Sequence, residues 1–463
     1  MISTNRKTTF DWITMGIFLS LLITGWFSIY SATSSFEGNF NIYDIQSPAV
    51  KQIIYLAAAL TVFIIVQFID IRFWHTVAYL IYGFGVLALI LVLIFGTVIN
   101  GAKAWFNLGG FSFQPSELAK FGTILAVCSY LTYYKVSIKS ITSRLTLIGI
   151  IFLPVFLILL QPDAGSALTF FSLFILLFAE GFSPVPYIIF FLLVGIFILS
   201  IVFPLPGVYF SIMLLGIWFC SFYIERFRFF WMALISVSIA LIFLYFKFDS
   251  KNVIIAAIII LLVETYLLWK NRNIRLAAIM PFVIGTMILF SYSSLFFFSR
   301  LKEHQQERIK VWLKPEECDP RGSLYNIIQS KVAIGSGGFF GKGFLNGNMT
   351  KLKYVPEQST DFIFSTIGEE QGFLGSVMVI LLFTFLAWRM IDYSQRSPNR
   401  FSSTYALALA GFIMIHMLVN IGMTIGLVPI IGIPLPFISK GGTALIMFSL
   451  MVGIFVRLQS KNQ

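Results

Sequence analysis

Long apolar runs separated by short polar intervals occupy most of this chain. A helix that crosses a membrane needs about 20 apolar residues. Runs near 10–31, 52–69, 74–97, 117–134, 145–160, 165–182, 185–204, 207–224, 229–247, 252–269, 275–299, 362–388, 403–427 and 437–456 predict fourteen such helices. The pattern is that of an all-α polytopic integral membrane protein. The first run follows Arg6 and Lys7. It is too long for the core of a cleaved signal peptide and many spans follow it, so it reads as a retained anchor.

One interval breaks the rhythm. Residues 300–361 are mostly polar, and "PEECDPRGSLYN" at 315–326 crowds Glu316, Glu317, Asp319 and Arg321 into one short stretch. An insert of this length is functional or disordered. The continuation "IIQSKVAIGSGGFFGKGFL" is too apolar and too glycine-punctuated for a solvated tail. It predicts a loop folded back onto the membrane face. Residues 183–299 have another texture, five apolar helices with almost no polar residue inside them, and read as scaffold.

Composition sharpens the class. The chain is 58% hydrophobic and 11% charged, against about 25% charged in soluble domains. A net charge of +12 is explained by the positive-inside bias of membrane proteins, with no nucleic-acid partner required. With the N-terminus inside, the short inner segments hold sixteen Lys and Arg residues and the short outer loops four: Lys51, Lys103, Lys247 and Lys251. That orientation places both termini in the cytoplasm and residues 300–361 outside it. Cys128, Cys220 and Cys318 are too scattered for a disulfide framework or a zinc site. His75, His304 and His416 stand alone in sequence, which argues against a histidine metal site or a Ser-His-Asp triad.

Candidate chemistry falls in four clusters, because ionisable residues in or beside membrane spans are costly and rare. In "NGAKAWFNLGGFSFQPSELAK" (100–120), Pro115 and Ser116 start a helix and put Glu117 and Lys120 one turn apart on one face. The pair is either a self-neutralising packing solution or part of a cavity wall, and Trp105 suits an interfacial belt. In "LLQPDAGSAL" (159–168), Asp163 sits in a break between spans, as a helix N-cap, a cavity-lining group, or both. "GSGGFFGKG" (335–343) fails as a nucleotide-binding loop, since Ser336 and Gly343 stand where Gly and Ser or Thr are needed. Its amides and Lys342 still suit an anionic phosphate group. In "GIPLPFISKGG" (432–442), prolines and glycines interrupt the start of the last span, and Lys440 is placed to snorkel to lipid phosphates.

Together these blocks resemble the SEDS family (shape, elongation, division and sporulation). The matching wording is GAK-x-W with QPSELAK, QPD-x-G, DP-x-G-x-x-Y-x-x-x-QS followed by AIGSGG-x-x-GKG, PE-x-x-TDFIF-x-x-x-GEE-x-G, and GIPLPFIS-x-GG. They run in family order from about residue 100 to 442, nearer the elongation branch than the division branch. Ala104 and Lys440 depart from the family pattern. The resemblance implies a peptidoglycan glycosyltransferase that polymerises lipid II on the outer face of the bacterial cytoplasmic membrane. It implies a class B penicillin-binding protein as cross-linking partner within the elongation machinery. Family members usually have ten spans, so about four helices within 183–299 look inserted.

The motif match carries the essential aspartate onto Asp319. It carries substrate contacts onto Lys103, Trp105, Glu117, Lys120, Asp163, Arg321, Gln329, Ser330, Lys331, Lys342 and Lys440. The chemistry needs a carboxylate to take the proton of an acceptor sugar hydroxyl. Asp319 equally suits a divalent cation such as magnesium on the pyrophosphate, and the residues leave both roles open. A lipid II flippase is the competing reading. It would spread ionisable residues through the bilayer, whereas Lys103, Glu117, Lys120, Asp163, Asp319 and Lys440 map to the outer side. Glu264 is the exception.

Overall fold

The computed structural model describes residues 11–33, 47–99, 101–108, 111–133, 137–224, 250–270, 274–320 and 322–462. In chain order the helices are α1 (Trp12–Thr33), α2 (Pro48–Phe68), α3 (Ile71–Phe95), α4 (Pro115–Thr132), α5 (Ile141–Leu160), α6 (Ala164–Thr169), α7 (Ser172–Ala179), α8 (Val185–Val202) and α9 (Leu205–Ile224). They continue as α10 (Ser250–Lys270), α11 (Ile274–Arg300), α12 (Glu303–Leu313), α13 (Ser323–Ser336), α14 (Asn348–Lys351), α15 (Ile363–Arg396), α16 (Arg400–Thr424) and α17 (Gly442–Asn462). Among the described residues nine helices are long and apolar enough to cross a membrane: α1, α2, α3, α5, α8, α11, α15, α16 and α17. The apolar run expected over 229–247 lies outside the described residues.

Many of these helices also present apolar side chains outward. Ile64, Ile65 and Phe68 on α2, and Leu381, Phe385 and Trp388 on α15, are exposed. Water would penalise such faces, whereas a bilayer is their solvent. This is a multi-pass membrane protein.

Two compact units divide the chain: Ser183–Cys318, and the remainder from both sides of it. The larger unit has a continuous core in which Phe18 stacks on Phe63 at 5.1 Å between ring centres and meets Phe437 edge-on at 5.4 Å. Close approach is specified by glycine. A Cβ on Gly25 of α1 would come within 2.3 Å of the Phe437 carbonyl oxygen, so a larger residue there would push α1 off the loop that precedes α17. The smaller unit packs Ile196, Val208, Phe210, Ile212, Met213, Ile217, Ala257, Leu261 and Ile284 together.

Three local features depart from the expected pattern. Residues 97–113 form a small antiparallel sheet, β1 (Thr97–Ile99), β2 (Ala102–Leu108) and β3 (Phe111–Phe113), in the order β1-β2-β3. The run at 165–182, expected as one span, is two short helices. Its junction is tightened by i to i+3 hydrogen bonds, Phe171 N–H to Leu168 O at 3.0 Å and Leu173 N–H to Phe170 O at 3.0 Å. There the Ser172 carbonyl oxygen would lie only 3.2 Å from a Cβ on Gly411 of α16. Finally, the interval 300–361, expected as loop, is substantially helical through α12, a 3-10 turn at Pro315–Glu317, α13 and α14.

Candidate active site

The N-terminus of α4 builds the centre of the larger unit. Pro115 at the helix start lacks an N–H, which costs nothing at that position. The next turn carries Glu117 and Lys120 inward, each 1% exposed, with Lys120 Nζ donating to Glu117 Oε1 at 2.7 Å. Ion pairs this buried need further partners to offset desolvation. One comes from α16: Lys120 Nζ is 3.4 Å from His416 Nε2. The other ring nitrogen, Nδ1, lies 3.1 Å from the Pro434 carbonyl oxygen. A carbonyl only accepts, so hydrogen bonding places the imidazole proton on Nδ1 and leaves Nε2 to accept from the ammonium. Glu117 Oε2 is buried with no hydrogen-bond partner among the described residues.

A second polar layer surrounds this line. Asp163 caps α6, accepting from Ser166 N–H at 2.9 Å, and its other oxygen accepts from Gln114 Nε2 at 3.2 Å. Ser116 and Ser166 meet at 3.3 Å. A Cβ on Gly165 would lie 2.7 Å from the Ile431 carbonyl oxygen, so the loop before α17 sits directly on the start of α6. Asn420 of α16 ties that loop to the 360s by donating to Asp361 O and Ile433 O, both at 2.8 Å. Ser439 adds a bond to Thr360 O at 2.7 Å, and Lys440 N–H one to Ser359 O at 2.9 Å.

The glycine-rich segment is organised around Glu369. Its Oε1 accepts from Lys342 Nζ at 2.7 Å and from Met349 N–H at 2.9 Å. Its Oε2 accepts from Thr350 N–H at 2.9 Å and Thr350 Oγ1 at 2.8 Å. The neighbouring Glu370 accepts from Ser31 of α1. Helix α15 kinks at Gly372, whose φ of 66° and ψ of −159° only glycine adopts readily. A Cβ there would lie 2.2 Å from the Gly341 nitrogen.

The expected site residues therefore separate. Glu117, Lys120 and Asp163 share one buried nest with Gln114, Ser116, Ser166 and His416. Lys342, expected to face an anion, has its ammonium on Glu369. Ser330 donates to Thr424 O at 2.9 Å, and Lys331 lies against Gly426, where a Cβ would come within 2.7 Å of its Nζ. Gln329 is half-buried on α13. Lys103 Nζ caps the C-terminal end of α3 through Ile94 O at 3.0 Å. Trp105 on β2 pairs with Thr97. Asp319 is exposed, in a turn closed by Gly322 N–H to Asp319 O at 3.1 Å. It precedes α13, and Lys331 is eight residues into that helix, about 12 Å along its axis. Arg321 lies outside the described residues.

With this geometry in view, the family model for FtsW, RodA and SpoVE, described as cell cycle protein, matches residues 11–231 and 222–463. The chain belongs to the FtsW/RodA/SpoVE family. Peptidoglycan glycosyltransferase RodA of Treponema pallidum is 30% identical over 456 residues, covering 98% of each chain. Peptidoglycan glycosyltransferase MrdB of Escherichia coli is 27% identical over 465 residues, covering 99% of this chain and 97% of its own. A solved structure reported as the structural coordination of polymerization and crosslinking by a peptidoglycan synthase complex matches with a TM-score of 0.61 and 25% identity, covering 98% of each chain. The crystal structure of the rod shape determining protein RodA of Thermus thermophilus matches with a TM-score of 0.56 at 21% identity, again over 98% of each, and shows the same fold.

Within this FtsW/RodA/SpoVE chain, the residues that sequence reasoning missed are His416 and Asn420, and Gln114 stood in a motif without its partner Asp163 being legible. Their partners lie far away in sequence; His416 is 296 positions from Lys120. Glu369 stood inside a quoted motif, but its role as the anchor of residues 342–350 had no local sign.

Proposed function

We propose that this chain is a peptidoglycan glycosyltransferase that polymerises lipid II into glycan strands for cell-wall elongation. The carrying observation is the end-to-end match to RodA of Treponema pallidum, itself named a peptidoglycan glycosyltransferase. The reaction joins a sugar hydroxyl of one lipid II molecule to the anomeric carbon of another, with inversion and departure of polyprenyl pyrophosphate. Asp319 is the base that takes the hydroxyl proton, and its exposed position in a turn suits access by a sugar. Glu117, Lys120 and Asp163 shape the cavity that receives the lipid-linked sugar, with contributions from Lys103, Trp105, Arg321, Gln329, Ser330, Lys331 and Lys440, while Lys342, its ammonium held by Glu369, orders the glycine-rich segment. Leaving-group charge is met by the cations among them.

Holding a divalent cation such as magnesium on the pyrophosphate would be a second role for Asp319. Among the described residues no group of three or more His, Cys, Asp or Glu side chains gathers to hold a metal. Asp319 alone would hold it together with phosphate oxygens and water, as magnesium accepts.

The partner is a class B penicillin-binding protein within the elongation machinery, a reading supported by the similarity to the peptidoglycan synthase complex. The protein resides in the bacterial cytoplasmic membrane, with both termini cytoplasmic and residues 300–361 forming the extracytoplasmic catalytic loop. The helices of 183–299 are an insertion into a ten-helix SEDS domain, a reading supported by the separate compactness of Ser183–Cys318.

The test is incubation of the purified protein with lipid II, with and without its transpeptidase partner. Wild-type protein should yield polymer. Asp319→Asn should lower the rate about 10²–10⁴-fold while folding and partner binding persist. Normal polymer from Asp319→Asn would sink the assignment of the base. Movement of lipid II between leaflets with no polymer from wild-type protein would establish the flippase reading instead.

A further inference from the structure

The glycine-rich segment Gly338–Phe344 carries aromatic side chains that the polar character of its neighbourhood does not explain. Phe339 is 57% exposed, Phe340 79% and Phe344 45%. Two helices, measured from one shared origin, set their depth. Arg389 of α15 pairs with Asp11, the residue before α1, at 2.8 Å, so this ion pair marks one boundary of the apolar layer on both helices. Going up α15 from Arg389, no charged residue occurs until Phe373 has been passed. Phe373 is sixteen residues above Arg389, about 24 Å at 1.5 Å per residue. The hydrocarbon layer is about 30 Å thick, so Phe373 lies inside it.

The segment is fastened at that level. Phe373 N–H donates to Gly338 O at 2.9 Å and Leu374 N–H to Phe339 O at 3.1 Å, while the Phe339 and Phe373 rings stack at 5.7 Å. Along α1, Phe344 packs on Phe27 at 5.5 Å and on Tyr30 at 6.2 Å. Those two residues lie fifteen and eighteen positions beyond Trp12, about 22 and 27 Å up the helix. Both ends of the segment thus reach the same depth by separate helices.

Irregular backbone at that depth must be satisfied by protein rather than water, and further amides of the segment are. Lys342 N–H bonds to Glu369 O at 3.1 Å and Gly343 N–H to Glu370 O at 2.9 Å. The Lys342 ammonium, costly in hydrocarbon when alone, is neutralised by Glu369 at 2.7 Å. Outward, Phe340 and Phe373 continue the exposed apolar stripe of Leu374, Met378, Leu381, Phe385 and Trp388 on α15.

We infer that Gly338–Phe344 is a re-entrant wedge whose Phe339 and Phe340 are immersed among the acyl chains of the leaflet opposite the Asp11–Arg389 pair. The surface is a lipid-binding one, and its occupant is the hydrocarbon of bilayer lipids. This inference rests on the membrane fold and not on the enzymatic reading.

The experiment places a nitroxide at position 340 by labelling Phe340→Cys. The carrier is the full chain, with Cys128, Cys220 and Cys318 replaced, in phosphatidylethanolamine and phosphatidylglycerol vesicles. Met378→Cys and Lys353→Cys serve as membrane and aqueous references. Phe340 is 79% exposed and its ring meets the likewise exposed Phe339 at 5.0 Å, and labelled chains are compared only where purified protein elutes as wild type. The expected result is relaxation by molecular oxygen exceeding relaxation by a water-soluble nickel chelate, as at position 378. Nickel access at position 340 equal to that at position 353 would overturn the inference. So would low access to both reagents, which would mean that protein rather than lipid covers the ring.

Discussion

The two compact units bury very different things. Ser183–Cys318, among its described residues, buries only serine hydroxyls as polar groups: Ser200, Ser291 and Ser294. Ser200 and Ser291 satisfy each other at 2.8 Å. The larger unit buries Glu117, Lys120, Glu369, Glu370, His416 and Asn420. A hydroxyl can always fall back on the carbonyl one turn below it, as Ser200 does with Ile196 at 2.6 Å, and so asks nothing of its neighbours. A buried charge needs partners placed by other helices, and it is retained only where that placement serves something. Among the described side chains, buried charge is confined to the larger unit, which supports placing the chemistry there and reading the smaller unit as apolar scaffold.

The contrast can be broken at its strongest point first. Lys120→Met leaves the Glu117 carboxylate buried without a cation. Losing one partner of such a pair costs about 3–5 kcal/mol, so the melting temperature in detergent should fall by many degrees. The neutral double variant Glu117→Gln/Lys120→Met should regain much of that loss and still fail to polymerise lipid II. If the double variant is both stable and active, the pair is a packing solution and the larger unit's buried charges have lost their functional meaning.

A smaller effect is expected where Arg389 of α15 pairs with Asp11. Burial alone would raise the Asp11 carboxyl, but hydrogen bonds from Thr14 and Arg389, together with the Arg389 charge, hold it below its usual range. For a depressed acid the stabilisation is fully present above the unfolded carboxylate value and is lost as pH falls through the folded one. Asp11→Asn should therefore cost about 1–2 kcal/mol near neutral pH, the scale of a lost cap. The difference from wild type should shrink on acidification below the ordinary carboxylate range. A stability difference that is flat down through that range would show that the ion pair is idle.

The smallest effect belongs to the scaffold. Glu264 lies on α10 in the smaller unit, and Glu264→Gln should leave polymerisation within a few-fold of wild type. A collapse of activity in a folded Glu264→Gln protein would draw the smaller unit into the substrate path and erase the comparison.

The sequence alone sufficed for whatever depends on neighbours a few residues apart. The apolar runs marked the helices because a bilayer admits few other solutions, and most observed boundaries fall within a few residues of the runs. Glu117 and Lys120 could be paired because they are one turn apart, and Asp163 could be read as a cap because it precedes the backbone amides it serves. The sheet at 97–113 escaped because β1 and β3 have three residues each, too few to show a period, and β2, AKAWFNL, breaks alternation with three consecutive apolar residues. Tertiary structure alone decided which distant groups meet: His416 on Lys120, Asn420 across two loops, Lys342 on Glu369. Lys342 illustrates the reason. In sequence it is a cation in a glycine-rich loop, open to any anion. Only the kink at Gly372 and the close approach of Gly341 bring the Glu369 carboxylate to it. Coulomb attraction is indifferent to chain order, so its choice of partner is made by packing.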